Sequence, residues 1–478
     1  MENRFETTGE SLPWVREFGS MLAAMPRVLQ SKRPRSPAPL VMVAILAPAL
    51  MAQSRAQWDS LKAAAAPRVV APSFLATHGE PRRLPMATSG WEDGLQVSPD
   101  GLDLYALYLP ADFLSWSMFI GANPGKPICD LLGTPRFRRA DAPTFGSDQA
   151  TNPFGCSSIL NVDILRAHRE SPADSFANWT LTGLSRPLLA EGGPFTLPVD
   201  GKPDSLSHVL FTGDGDIWMV RGSTRNLTGI DRAVRLPTPI NPVAKEFVAD
   251  NPALVRLGGD SLLLVYERYT DGNQRTFMLA RSPDGGTTWG EPTPMTSITR
   301  SLGHIEHPMP VRDLDGTWWL WFSIDYDIVR AKALVNGQWD SWATPEKVLE
   351  KGNTAGLGEP SLSRDGTLYF SVVLTRPGAD SADRFDIDPW VLPVAHATRT
   401  TKRSSDRGAS LRLAGDRMIL DRPMGEERLE ARRIDGGLVG VVACRQDQPC
   451  GLSLPRGFGV VTRFDGIRPI ESRVFALP

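Results

Sequence analysis

The sequence predicts an all-β protein: a β-propeller of about six four-stranded blades, followed by a small β-sandwich-like domain. Three observations predict it. Short phrases recur at near-even intervals: Trp91-Glu92-Asp93-Gly94, Asp250-Asn251-Pro252, Glu306-His307-Pro308 and Gly358-Glu359-Pro360, each ahead of a Gly turn and a β-rich run. Two fainter copies, at Asn152-Pro153 and Ser207-His208, fill the gap. From Asp93 to Glu359 is 266 residues, or five steps of about 53, a period that suits several strands per repeating unit. The chain is also rich in turn formers, with 43 Gly and 41 Pro. No long amphipathic helix is legible after residue 65.

The elements follow in order. Blade one carries Leu102 to Leu109 (LDLYALYL), and blade two the irregular run Asn161 to Leu165. Blade three contains Asp216 to Val220 behind the Asp214-Gly215 turn. Blade four has Ser261 to Tyr266 and Phe277 to Ala280. Blade five has Thr317 to Phe322 and Ile328 to Arg330. Blade six has Thr367 to Val373 and Trp390 to Leu392. Each run is too short for a helix and is bounded by Gly, Asp or Pro, which favours strands. Thr398 to Ser410 reads as a polar linker. Beyond it come the short runs Met418–Leu420, Leu438–Val442, Phe458–Val461 and Val474–Leu477. The expected organisation is therefore a leader over 1–56, a propeller over 57–400 and a C-terminal β-domain over 401–478.

The leader has a positive stretch (Lys32, Arg33, Arg35), an apolar run from Pro39 to Met51 and a small-x-small site at Ser54-Arg55-Ala56. That is the pattern of a secretory signal peptide, with Met25 as the expected start and an upstream extension before it. A membrane span needs ~20 apolar residues, more than this proline-broken run supplies. The expected location is secreted, periplasmic or at a bacterial cell surface. Export would let the four cysteines oxidise, with Cys129–Cys156 and Cys444–Cys450 as candidate local pairs. Their spacing makes no zinc site.

Charge excludes one class of partner. Residues 57–401 hold 31 Lys and Arg against 40 Asp and Glu, while residues 402–478 hold 14 against 10. An acidic main domain argues against nucleic acid. It suits a glycan, another small neutral ligand or a cation.

Ser282, Asp284, Gly286, Thr288 and Trp289 fit the Asp-box pattern Ser-x-Asp-x-Gly-x-Thr-Trp. This octapeptide resembles the repeat of sialidase-type propellers, which implies a structural hairpin turn there rather than a catalytic element. The Ser98-Pro99-Asp100-Gly101 and Ser363-Arg364-Asp365-Gly366 segments resemble TolB-type repeats, found in binding and scaffold propellers. The acidic, proline-linked blade starts are similar to those of five-bladed glycosidases of the arabinanase and β-xylosidase kind. That resemblance implies an Asp base, an Asp modulator and a Glu acid. Sialidase chemistry fits less well: Tyr266 and Glu267 are adjacent on one strand and so face opposite sides, and no early Arg-Ile-Pro motif is present. The last ~70 residues, through Leu454 to Arg463, resemble bacterial C-terminal sorting domains, which implies cell-surface attachment.

The candidate catalytic residues are Asp93, Asp250, Glu306 and Glu359, expected to line one end of the central channel. A glycosidase needs one carboxyl as acid and another as base or nucleophile, and crowding raises the acid's pKa. Glu306 or Glu359 is the expected acid and Asp93 or Asp250 the base. Glu92, His304, His307, Tyr266, Tyr326 and Trp116 are the expected substrate-lining residues, with Trp339 and Trp342 as further stacking candidates. Two other readings of the same oxygens stay open: a calcium ion held on the axis, and plain caps on strand starts. No Gly-x-Ser-x-Gly, P-loop or Rossmann motif appears. A non-catalytic propeller binding a protein or small ligand is the alternative function.

Overall fold

The computed structural model describes residues 55–477, apart from segments 116–140, 146–161, 186–190, 270–274, 377–383 and 396–409 and shorter gaps of up to five residues. Trp116, Asn152-Pro153, Cys129, Cys156 and nearly all of the leader fall outside the described residues. A helix over 55–64 opens the described chain. Two short strands follow, β1 (Arg68–Val69) and β2 (Arg82–Arg83).

Five antiparallel blades come next; the first three are four-stranded in sequence order, and the last two take up β1 and β2 as outer strands. Blade 1 is β3 (Trp91–Val97), β4 (Asp103–Leu109), β5 (Asp163–His168) and β6 (Thr180–Leu181). Blade 2 is β7 (Glu191–Val199), β8 (Lys202–Gly213), β9 (Asp216–Thr224) and β10 (Val234–Arg235). Blade 3 is β11 (Val248–Gly258), β12 (Ser261–Tyr269), β13 (Thr276–Ser282) and β14 (Thr293–Pro294). Blade 4 is β15 (Ile305–Arg312), β16 (Trp318–Ile324), β17 (Asp327–Lys332) and β18 (Glu346–Glu350), with β1 added as a fifth, outer strand. Blade 5 is β19 (Gly356–Leu362), β20 (Leu368–Thr375) and β21 (Phe385–Leu392), and its outer strand is β2.

The ring thus closes by strand exchange: a segment preceding blade 1 completes the last blade. Trp58 of the first helix is buried in the same blade 4–blade 5 core. Lys62 and Arg83 fasten the segment to blade 5, with Lys62 Nζ 2.6 Å from Asp386 and Arg83 Nε 2.8 Å from Asp388.

Five blades, not about six, is the observed count. The sixth expected start falls between two strands that pair within blade 1. Strands β4 and β5 are separated by residues 110–162, a length close to one blade period, and Asn152-Pro153 falls within that stretch, outside the described residues. Ser207-His208 lies inside β8, the second strand of blade 2. The true start of blade 2 is the Glu191–Val199 strand, whose Gly192-Gly193-Pro194 lacks the acidic residue of the other starts.

Each of the five blade interfaces has its own apolar cluster. On β12, Leu263 and Val265 join the cluster shared with blade 4, while Leu262, Leu264 and Tyr266 join that shared with blade 2. Both faces of a second strand are therefore buried. That is why these runs read as continuous apolar stretches rather than alternating ones. Burying one such Leu contributes about 1.5–3 kcal/mol.

The three Ser-x-Asp-Gly turns share one device. Ser98, Ser282 and Ser363 each donate Oγ–H to the Asp two residues on, at 2.7, 2.9 and 2.6 Å. That Asp then accepts a backbone N–H further along: Leu102, Thr288 and Thr367. Two of the turns join first and second strands, in blades 1 and 5; the one over 282–289 follows the third strand of blade 3. A Cβ at Gly286 would meet Met219 of blade 2 at 2.9 Å, so the turn seats tightly on the neighbouring blade.

The C-terminal residues form a three-stranded sheet, β22 (Ser410–Ala414), β23 (Arg417–Asp421) and β26 (Cys450–Ser453), and a four-stranded one. The latter runs β25-β24-β27-β28 (Leu438–Cys444, Glu427–Arg433, Gly457–Asp465, Arg468–Leu477). Cys444 closes β25 and Cys450 opens β26, on different sheets. Among the described residues no helix is long and apolar enough to cross a membrane.

Candidate functional site

Every innermost strand carries the same irregularity. Between Asp93 and Gln96, Gly192 and Phe195, Asp250 and Ala253, Glu306 and Met309, and Gly358 and Ser361, two residues oppose one on the second strand. This is a β-bulge repeated once per blade. Its first residue is left-handed in all five: Gly94, Gly193, Asn251, His307 and Glu359, with φ between 46° and 60°. In blades 2 to 5 a proline follows. Proline has no N–H to give the ladder, so the bulge is where the inner strand tolerates it. Bulges re-aim side chains, and here they concentrate at the strand starts around the axis.

The bulge shows that the recurring phrases are offset by one residue. Asp93, Asp250 and Glu306 occupy one position, filled by Gly192 and Gly358 in the other blades. Glu359 occupies the next, where blade 4 has His307 and blade 3 has Asn251. A non-glycine residue in the left-handed region costs of order 1–3 kcal/mol and persists where its surroundings fix it. His307 and Glu359 are two such residues in adjacent blades.

Glu359 is buried and bonded across the blade 5–blade 1 seam. Its Oε2 accepts Ser371 Oγ–H at 2.7 Å and the Leu95 N–H at 3.1 Å. Its carboxyl also hydrogen-bonds Asp93. Burial first, then the Asp93 charge and that hydrogen bond, hold Glu359 well above the usual carboxylate range. The pair thus favours one shared proton between Glu359 and Asp93. Asp93 also accepts the Trp91 indole N–H at 3.2 Å. His307 Nε2 lies 3.6 Å from Glu359 Oε1.

Glu306 is the opposite case. Burial opposes its ionisation, but Arg275 Nη2 at 3.0 Å and His304 Nε2 at 2.9 Å hold it far below the usual range. The same Arg275 reaches Glu267, a fully buried carboxylate that also accepts Asn251 Nδ2 at 3.0 Å and the His307 backbone N–H. Asp250 accepts Thr212 Oγ–H at 2.7 Å, Tyr269 Oη–H at 3.3 Å and the Asn251 N–H. Tyr326 stands beside His304, ring centroids 5.4 Å apart, and burial with the Glu306 charge raises its phenol.

Several expected residues lie elsewhere. Tyr266 opposes the bulge of blade 3, as Phe211, Phe322 and Phe370 do in blades 2, 4 and 5, and it packs in the blade 2–3 core. It bonds Arg268 rather than lining the channel. Glu92 faces away from Asp93, into the seam with Asp386 and Asp388. Trp339 and Trp342 are buried and edge-packed with each other, and Trp339 also packs edge-on against Trp318. Arg275, Thr212 and Ser371 were not singled out in the sequence, and Glu267 was weighed only as a sialidase partner to Tyr266. They come from second strands and a second-to-third-strand loop, where no phrase recurs. Among the described residues no group of three or more His, Cys, Asp or Glu is disposed to hold a metal ion, and the channel carboxylates are engaged by protein donors instead.

No protein-family model and no curated protein matches the chain. Solved structures do. An α-L-arabinofuranosidase from Podospora anserina, in complex with cellotriose, is 10% identical over 65% of this chain and 91% of its own, with a TM-score of 0.35. An exo-β-1,3-galactanase from Phanerochaete chrysosporium is 10% identical over 78% and 94%, with a TM-score of 0.36. A sialidase from Streptococcus pneumoniae is 12% identical over 49% of this chain and 37% of its own, with a TM-score of 0.31.

Proposed function

We propose that the chain is an exported, carbohydrate-active propeller, a glycoside hydrolase whose acid is Glu359. The observation that carries this reading is the contrast between two buried carboxyls: Glu359, held well above the usual range by burial and Asp93, and Glu306, held far below it by Arg275 and His304. Such a split in protonation is what acid–base work on a glycosidic bond requires. Glu306, ion-paired to Arg275, has no proton to give. Asp93 touches Glu359, whereas paired catalytic carboxyls stand roughly 5–9.5 Å apart, so Asp93 keeps the acid protonated rather than attacking. Asp250, held by Thr212 and Tyr269, is then the base. Export rests on the leader, and attachment to a cell surface on the C-terminal resemblance.

A panel of 4-nitrophenyl and alkyl glycosides, sialosides included, tests the roles with E359Q, D250N and E306Q beside the wild type. Loss of a general acid costs about 10²–10⁴-fold and spares good leaving groups. E359Q is therefore expected to lose far more on alkyl than on nitrophenyl glycosides, and D250N to lose on both. Equal losses for E359Q on the two classes would remove it as the acid. One observation favours a second reading: each channel carboxylate already has protein donors, as in a binding channel. Saturable glycan binding with no turnover would select it.

A further inference from the structure

Strands β16 and β17 are joined by two residues, Asp325 and Tyr326, with φ of 49° and 68°. Positive φ at both central positions is a type I′ turn, whose second position is strongly glycine-favoured. A tyrosine there is an outlier for a bulky residue. The surroundings are fitted to hold it. Asp325 Oδ1 accepts the His304 N–H at 2.9 Å, the Asp325 N–H returns to His304 O at 2.9 Å, and the Leu357 N–H reaches Tyr326 O at 2.8 Å. Two glycines clear the space. A Cβ at Gly303 would meet the Asp325 carboxylate at 2.7 Å, and one at Gly356 would meet Tyr326 Cβ at 3.0 Å. Gly303 thus makes room for the Asp325 carboxylate, and Gly356, on the neighbouring blade, makes room for a ring that the turn itself disfavours.

That ring stands beside the channel carboxylate Glu306 and its partners. Tyr326 is half-buried beside His304, and His304 contacts Glu306. Lys351 Nζ lies 5.4 Å from its centroid. A strained aromatic, over-determined by its neighbours and partly open at a polar site, points to a contact made with something other than the protein.

We infer that Tyr326 is the stacking platform for a sugar ring in the channel mouth, and so a specificity-determining residue. The inference rests on the carbohydrate reading above. Its apolar face covers the ring's C–H surface while its hydroxyl reaches polar groups, with the Arg275–Glu306 pair beside it.

The test compares Y326F, Y326N and Y326G with wild type on the 4-nitrophenyl glycoside of highest kcat/KM. Asn and Gly both accept the left-handed turn, so thermal midpoints confirm that the turn survives. Losing one ring's contact is expected to raise KM roughly tenfold in Y326N and Y326G, with Y326F within about twofold of wild type. KM unchanged in Y326N and Y326G, or Y326F as impaired as they are, overturns the assignment. If wild type turns over nothing, capture on a glycan array replaces KM, with the same variants and the same readings. Wild-type capture or turnover untouched by Y326N refutes Tyr326 alone. Neither turnover nor capture by wild type refutes the carbohydrate reading, and this inference with it.

Discussion

Replacing Arg275 with methionine should expose how the channel charges are balanced. Arg275 is buried and is the shared partner of two buried carboxylates, Glu267 and Glu306. Glu267 would keep Asn251 Nδ2 and the His307 N–H. Glu306 would keep only His304. Removing one partner of a buried pair costs about 3–5 kcal/mol, and the orphaned Glu306 places R275M in that range at pH 7. The pH dependence follows from the sign. In wild type Glu306 is held low, so its contribution is present above the unfolded value and is lost only as pH falls through a much lower one. In R275M burial is no longer opposed, and Glu306 must bind a proton to stay inside. The penalty should then grow with pH above ~4.3, at up to about 1.4 kcal/mol per unit for one proton. At pH 4 it should shrink to about 1 kcal/mol, the cost of a lost polar contact. Urea unfolding followed by tryptophan fluorescence at pH 4, 5, 6 and 7 would measure this. R275K should recover part of the loss, since a lysine cannot bridge two carboxylates as the guanidinium fork does. A penalty below about 1 kcal/mol at pH 7, or one equal at pH 4 and pH 7, would refute the reasoning.

Two further outcomes are expected. Glu92 is fully buried with Oε2 unpartnered among the described residues, and burial with Asp388 raises it well above the usual range. Its penalty appears as pH rises past the unfolded value, so E92Q should match wild type in thermal midpoint at pH 4 and exceed it at pH 8; a lower midpoint at pH 8 would contradict this. Asn251 is left-handed and donates to Glu267. N251A should therefore lose about 1–3 kcal/mol, while N251G, which keeps the backbone free, loses only the hydrogen bond's ~1 kcal/mol. Equal losses by chemical denaturation would show that the φ angle is not what Asn251 supplies.

Much of this molecule is written locally. Apolar runs such as Ser261 to Tyr266, bounded by Gly and Asp, make strands because backbone preference and turn chemistry act over a few residues. The Ser-x-Asp-Gly turns bond within themselves, so their sequence suffices. The phrases Asp250-Asn251-Pro252 and Glu306-His307-Pro308 mark inner strands because a bulge needs a residue tolerant of positive φ beside a residue that needs no ladder bond. What the sequence could not determine is set by contacts distant along the chain. The blade count depended on β4 pairing directly with β5 across residues 110–162, and a period alone cannot show which distant strands pair. The offset of Glu359 against Glu306 is one residue relative to the bulge proline, and its consequence, a carboxyl closed on by the Leu95 N–H and Ser371, appears only when blade 5 meets blade 1. Arg275 and Glu267 carry no recurring signal, since their value arises when blade 4 packs on blade 3 and sets Glu306 against Arg275. The protonation states that assign roles to Glu359 and Glu306 come from burial and neighbours, and only the tertiary structure supplies either.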